Sequence, residues 1–176
     1  ESPTMQIDDL LFPRRLEADG SASRIRQHLK LHPVQMGPDA KTLVPFLTMS
    51  DDLRRSLATA RLQRRICRGF EAIRDKLQNE QTGLVHLRQK TGAEQSVRLS
   101  RLLFFTKDCA PRLSRQIEKL LVIHHPRILA CMIDIDAQTL GRLISGSATE
   151  IKVILIDHKD AVSDILSRLF PEQNTG

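Results

Sequence analysis

Residues 102–169 read LLFFTKDCAPRLSRQIEKLLVIHHPRILACMIDIDAQTLGRLISGSATEIKVILIDHKDAVSDILSRL. Three apolar runs punctuate this stretch: 102–106 (LLFFT), 128–133 (ILACMI) and 151–156 (IKVILI). A segment of helical periodicity follows each. Leu113, Ile117, Leu120 and Leu121 share a face after the first run, and residues 137–144 follow the second. Ala161, Ile165, Leu166 and Leu169 mark a helix after the third. Runs that are apolar throughout, rather than alternating, belong to strands covered on both sides. The fold class this predicts is α/β, a three-layer α/β/α sandwich with a mixed sheet. A loop of small residues at 145–150 leads into the third strand.

Upstream, Ser50 with Asp51 and Asp52 behind it is an N-cap followed by first-turn acids. Leu53, Leu57 and Ala60 form one apolar stripe, and Leu62, Ile66, Phe70, Ile73 and Leu77 a second. The phase jump between them places a junction of two helices near 59–63 or near Gly69. Residues 81–83 are expected to end the helical region. The alternation Leu84–His86–Arg88 against Val85–Leu87, a turn at 90–94 (KTGAE) and the return through Val97 and Leu99 predict a β-hairpin inserted at 81–100. Residues 1–48 hold five of the eight prolines and little periodicity beyond Ile25 and Leu29 in SASRIRQHL. They are expected to form a partly irregular N-terminal arm, ahead of a domain at 49–170 and a tail at 171–176.

Composition narrows the function classes. The three cysteines are odd in number and without zinc-type spacing, which predicts an intracellular, reducing location, cytoplasmic or nuclear. No apolar run reaches the length of a membrane span, and the N-terminal residues do not read as a secretory signal. The net charge of +6 is uneven. Residues 51–100 carry eleven Lys/Arg against six Asp/Glu, whereas residues 1–50 balance at six each and residues 101–176 carry ten against nine. The excess centres on Arg54, Arg55, Arg61, Arg64, Arg65 and Arg68, with no acid between Leu53 and Phe70. Read as a helix, Arg61, Arg65 and Arg68 would share a face. Cations without interleaved acids repel one another unless phosphates supply the counter-charge, and the planar guanidinium suits phosphate. With no Trp or Tyr, stacking of single-stranded bases on aromatic platforms is disfavoured, and structured RNA is the expected partner.

Asp134 and Asp136 close the second strand as paired carboxylates, an arrangement that can bind Mg²⁺ for phosphoryl transfer or nuclease chemistry. The blander reading, with Asp136 capping the next helix, is preferred. His124-His125, His158 and the Ser-Gly-Ser at 145–147 lack metal or phosphate-loop spacing and read as structural. The chain is therefore expected to be neither an enzyme nor a carrier of a metal or cofactor.

Three segments, taken in order, resemble the kink-turn RNA-binding superfamily of ribosomal proteins, the L-seven-Ae and L-thirty-e group. They are RRICRGFEAI at 64–73, LLFFTKDCAPRLSRQIEKLL at 102–121, and 136–156 with Leu140-Gly141-Arg142 ahead of a small-residue loop. The resemblance implies a component of a ribonucleoprotein, alongside other subunits, with Gly69 opening the RNA-contacting helix. It implies phosphate contacts from Arg61, Arg64, Arg65, Arg68 and Arg74. Ser147, Ala148 and Thr149 would pack against an extruded base. Where that family has Gly-x-Asn-Glu-Val-x-Lys, this chain has Gly69-Phe70-Glu71-Ala72-Ile73-Arg74-Asp75. Glu71 then stands as a base-edge acceptor in the Asn place, and the arginines carry the binding. The second reading is a protein-interaction scaffold within a ribonucleoprotein.

Overall fold

A computed structural model of the chain describes residues 7–92 and 97–169. In chain order these form α1 (Arg14–Ala18), α2 (Ser21–Leu29), β1 (Pro33–Gln35), β2 (Leu43–Leu47), α3 (Asp51–Leu62), β3 (Ile66–Arg68) and α4 (Phe70–Thr91). Then follow β4 (Arg101–Thr106), α5 (Pro111–His124), β5 (Ile128–Ile133), α6 (Ala137–Ser145), β6 (Val153–Ile156) and α7 (Lys159–Leu169). The strands make one mixed sheet in the order β1-β2-β5-β4-β6-β3. β4 pairs in parallel with β5, and β5 with β2, while β6 runs antiparallel to both β4 and β3.

Alternation along β4 shows how the layers form. Leu102 and Phe104 point into one core with α1, α2, α3, α6 and α7. Leu103 and Phe105 point into the other, with Ile73 and Leu77 of α4 and Ile117 and Leu120 of α5. All four are fully buried, so every position of an unbroken apolar run has a partner on one side of the sheet or the other. The three strand–helix pairs of the C-terminal half are thus present, and the architecture is the α/β/α sandwich that their pattern predicts.

Three expectations need correction. The first is the β-hairpin at 81–100, which is not formed: residues 81–91 continue α4. Gly83 lies in mid-helix with nothing within 4 Å of where a Cβ would sit, and one such glycine weakens a helix by only about 1 kcal/mol. Glu80 fastens this half of α4 to the sheet through Arg101 (3.1 Å) and Arg127 (2.8 Å). The helix stops at Gly92, at φ +63°, whose N–H bonds to the Arg88 carbonyl. Part of the expected turn at 90–94 falls in 93–96, outside the described residues, as does the tail at 171–176.

The second is the arm at 1–48. From residue 7 onward it belongs to the sandwich. Phe12, Leu16, Ile25 and Leu29 are fully buried, Arg26 lies 4.5 Å over the Phe12 ring, and β1 and β2 extend the sheet. Five prolines masked an ordinary core pattern.

The third is the helical face expected of Arg61, Arg65 and Arg68, although the junction expected near 59–63 is present. α3 ends at Leu62. The Arg64 N–H bonds to the Arg61 carbonyl (3.0 Å) and the Arg65 N–H to that of Ala60 (2.8 Å), with Arg64 itself at φ +57°. This is a Schellman closure with arginine in the place glycine usually takes. Beyond it the chain forms β3, and Arg61, Arg65 and Arg68 do not share a helical face.

Candidate nucleic-acid interface

β3 lies at the sheet edge, antiparallel to β6, with Arg68 opposite Ile154. At its end Gly69 takes φ +88° and ψ +140°, and its N–H bonds to the Val153 carbonyl at 3.1 Å. The chain can then turn directly into α4 while staying tied to β6. The reversal is left-handed, which suits glycine. No side chain caps α4 at Gly69, so the positive end of the helix dipole opens at this surface.

Opposite this junction lies the α6–β6 loop. Asp136 caps α6 by accepting the Thr139 N–H at 2.8 Å. The helix ends at Gly146, at φ +71°, and the loop doubles back across it. The crossing is close: a Cβ on Gly141 would stand 1.6 Å from the Thr149 carbonyl oxygen. The Ile151 N–H bonds to the Ala137 carbonyl at 3.0 Å and locks the crossing. Hydroxyls brace the loop from within. Ser145 Oγ donates to the Gly141 carbonyl at 2.6 Å, and Ser147 Oγ lies 2.9 Å from Ser145 Oγ and 3.1 Å from Thr149 Oγ1.

The two segments, remote in sequence, line one cleft of about 580 Å³. Arg68, Gly69 and Phe70 form one wall, Ser145, Ser147, Thr149 and Glu150 the other, and Leu113 and residues 151–153, Lys152 among them, complete it. Arg61 joins from the end of α3, its Nη2 being 3.8 Å from where a Cβ of Gly146 would be. Arg61, Arg64 and Arg68 are exposed. Ala148 is exposed at the loop tip, outside the cleft wall. Glu71 and Arg74 are exposed in the first turns of α4, and Arg74 pairs with Asp75 at 3.3 Å. Arg65 faces elsewhere. It lines a separate depression between α3 and α7 together with Asp160 and Asp164.

Sequence reasoning missed Lys152 and Leu113. Lys152 had a signal, being the only charge in the run IKVILI. Leu113 had none, since its approach to the cleft depends on how α5 sits beside α4.

The paired carboxylates have structural duties. Asp134 bonds to Lys107 Nζ at 3.1 Å. The hydrogen bond from Thr139 holds the Asp136 carboxyl below its usual range, and Asp108 accepts the Ala137 N–H at 3.1 Å beside it. His158 Nδ1 accepts the Asp160 N–H at 3.1 Å in the first turn of α7. Among the described residues no three His, Cys, Asp or Glu side chains gather as a metal site, and no helix is long and apolar enough to cross a membrane. Comparison with known proteins returns no matching family model and no matching curated protein.

Proposed function

We propose that the chain binds structured RNA, of kink-turn or stem–internal-loop type, as a component of a ribonucleoprotein. One observation carries the reading. Two of the segments that carry the resemblance to the kink-turn superfamily, 64–73 and 136–156, line a single cleft through Arg68, Gly69 and Phe70 on one side and Ser145, Ser147 and Thr149 on the other, with Arg61 and Lys152 beside them. Glu150 is the one carboxylate among the residues that line it. Exposed arginines there contact phosphates; the uncapped start of α4 adds backbone donors, as helix N-termini do for anions. The hydroxyl-braced loop supplies a rigid, small-residue surface against which a base can pack. Arg65 leaves the proposed contact set, because its depression is shared with two aspartates.

Replacing both Arg61 and Arg68 by Glu tests this. Affinity for a kink-turn stem-loop should fall by about tenfold or more, and the slope of log K against log salt should flatten by about 2, one for each lost phosphate contact. Replacing Arg65 by Glu should do much less. An unchanged salt slope in the double variant overturns the assignment.

A further inference from the structure

A second groove lies at the opposite end of β4 and β6 from the RNA cleft. It has a volume of about 560 Å³ and forms between the C-terminal half of α4, the chain entering β4, and the start of α7. Leu84, Leu87 and Val97 supply apolar walls; Arg88, Arg127 and Lys159 bring cations. Leu87 remains 50% exposed, and Leu84 and Val97, which line the groove with it, are half-buried. An apolar surface this open on a projecting helix is unusual unless something covers it.

The charges indicate what covers it. Among the described residues, Asp157 is the one carboxylate that lines the groove and it pairs with Lys76 at 3.3 Å, while Glu80, outside the lining, pairs with Arg101 and Arg127. Arg88 and Lys159 appear in no ion pair among the described residues. Arg127 is 7% exposed, and its Nη1 is buried without an acceptor. A buried guanidinium donor with no acceptor is costly, and this one belongs to a side chain that lines the groove.

We infer that this groove is a docking site for an acidic, amphipathic segment of a partner protein. Its apolar side chains would lie on Leu84, Leu87 and Val97, and its carboxylates would meet Arg88, Lys159 and Arg127. This is recognition of a helix in a groove with a complementary rim. Nucleic acid fits less well. The apolar walls are aliphatic, the groove's lining holds no Phe, Tyr or Trp on which bases could stack, and Asp157 lines it. The inference does not rest on the RNA reading, because the two sites occupy opposite ends of the sheet.

The test uses the full chain and fluorescence anisotropy. The probe is a short labelled peptide of Glu and Leu in amphipathic helical order. The controls are the same peptide with Lys for Glu, and a labelled single-stranded oligouridine. The Glu/Leu peptide should bind and the Lys/Leu peptide should not. Leu87→Asp and Arg88→Glu should each weaken binding by about tenfold, while affinity for the kink-turn stem-loop stays unchanged. Both positions are exposed, and a circular dichroism spectrum confirms that the variants fold. Equal binding of the two peptides, no binding of the acidic one, or binding indifferent to both substitutions overturns the proposal. Displacement of the peptide by oligouridine also overturns it, and assigns the groove to nucleic acid.

Discussion

Arg64 combines two demands on one residue. Its φ of +57° closes α3 in a conformation that disfavours side chains with a Cβ, yet an exposed arginine occupies it. Backbone strain kept at a surface position beside a candidate site points to a use for the side chain. Arg64→Gly should therefore raise stability by about 1 kcal/mol, or about 2–4 °C in Tm for a chain of this size, while weakening RNA binding. Thermal denaturation and a binding titration on one variant read both effects; gains in both stability and affinity would remove Arg64 from the interface. This residue also marks a limit of pattern reading. The arginines are plain in the sequence, but an arginine in a left-handed turn carries none of the glycine signal that announces a helix end, so Arg61, Arg65 and Arg68 looked like one face. The phase jump near 59–63 and Gly69 both marked a junction, and α3 ends at the first while α4 opens at the second; the strand β3 between them is what neither announced.

Among the elements, α6 and the loop folded over it hold the second wall of the cleft, and Gly141 decides their spacing. A methyl group there meets the Thr149 backbone, at 1.6 Å from the carbonyl oxygen and 2.8 Å from the carbonyl carbon. Because backbone cannot rotate aside as a side chain does, Gly141→Ala should cost about 2 kcal/mol and displace Ser147 and Thr149, lowering RNA affinity. Gly83→Ala is the contrasting case, an open mid-helix position in α4 where stability should rise by up to about 1 kcal/mol. Urea denaturation of the two variants should move in opposite directions; a tolerated alanine at 141 would show that the loop is not clamped. Gly83 and Gly92 explain the misread hairpin. Gly83 looked like a stop and Gly92 like a turn, yet Glu80, just ahead of 81–91, is tied to Arg101 in β4 and to Arg127 just before β5, about twenty and fifty residues further on. No local window contains that contact.

At the scale of the whole molecule, the sheet organises two surfaces of different chemistry. At one end of β4 and β6, arginines from α3 and β3 meet the α6–β6 loop; at the other, α4 overhangs an apolar groove with cations about it. The C-terminal strand–helix pairs were legible because their apolar runs were unbroken. In the N-terminal third only Ile25 and Leu29 were legible, as the inward pair of one helix; Phe12 and Leu16 are spread among prolines and charges and join them only in the folded core. The cleft was legible as two segments but not as one place, since their meeting depends on β3 pairing with β6. That meeting is the centre of the account, and crosslinking reads it directly. The full chain is bound to a kink-turn stem-loop, irradiated, and digested, and the crosslinked peptides are identified by mass spectrometry. Crosslinks should concentrate in 61–74 and 142–152 together; crosslinks confined to α5, to the N-terminal third or to the overhanging half of α4 would contradict the proposed interface.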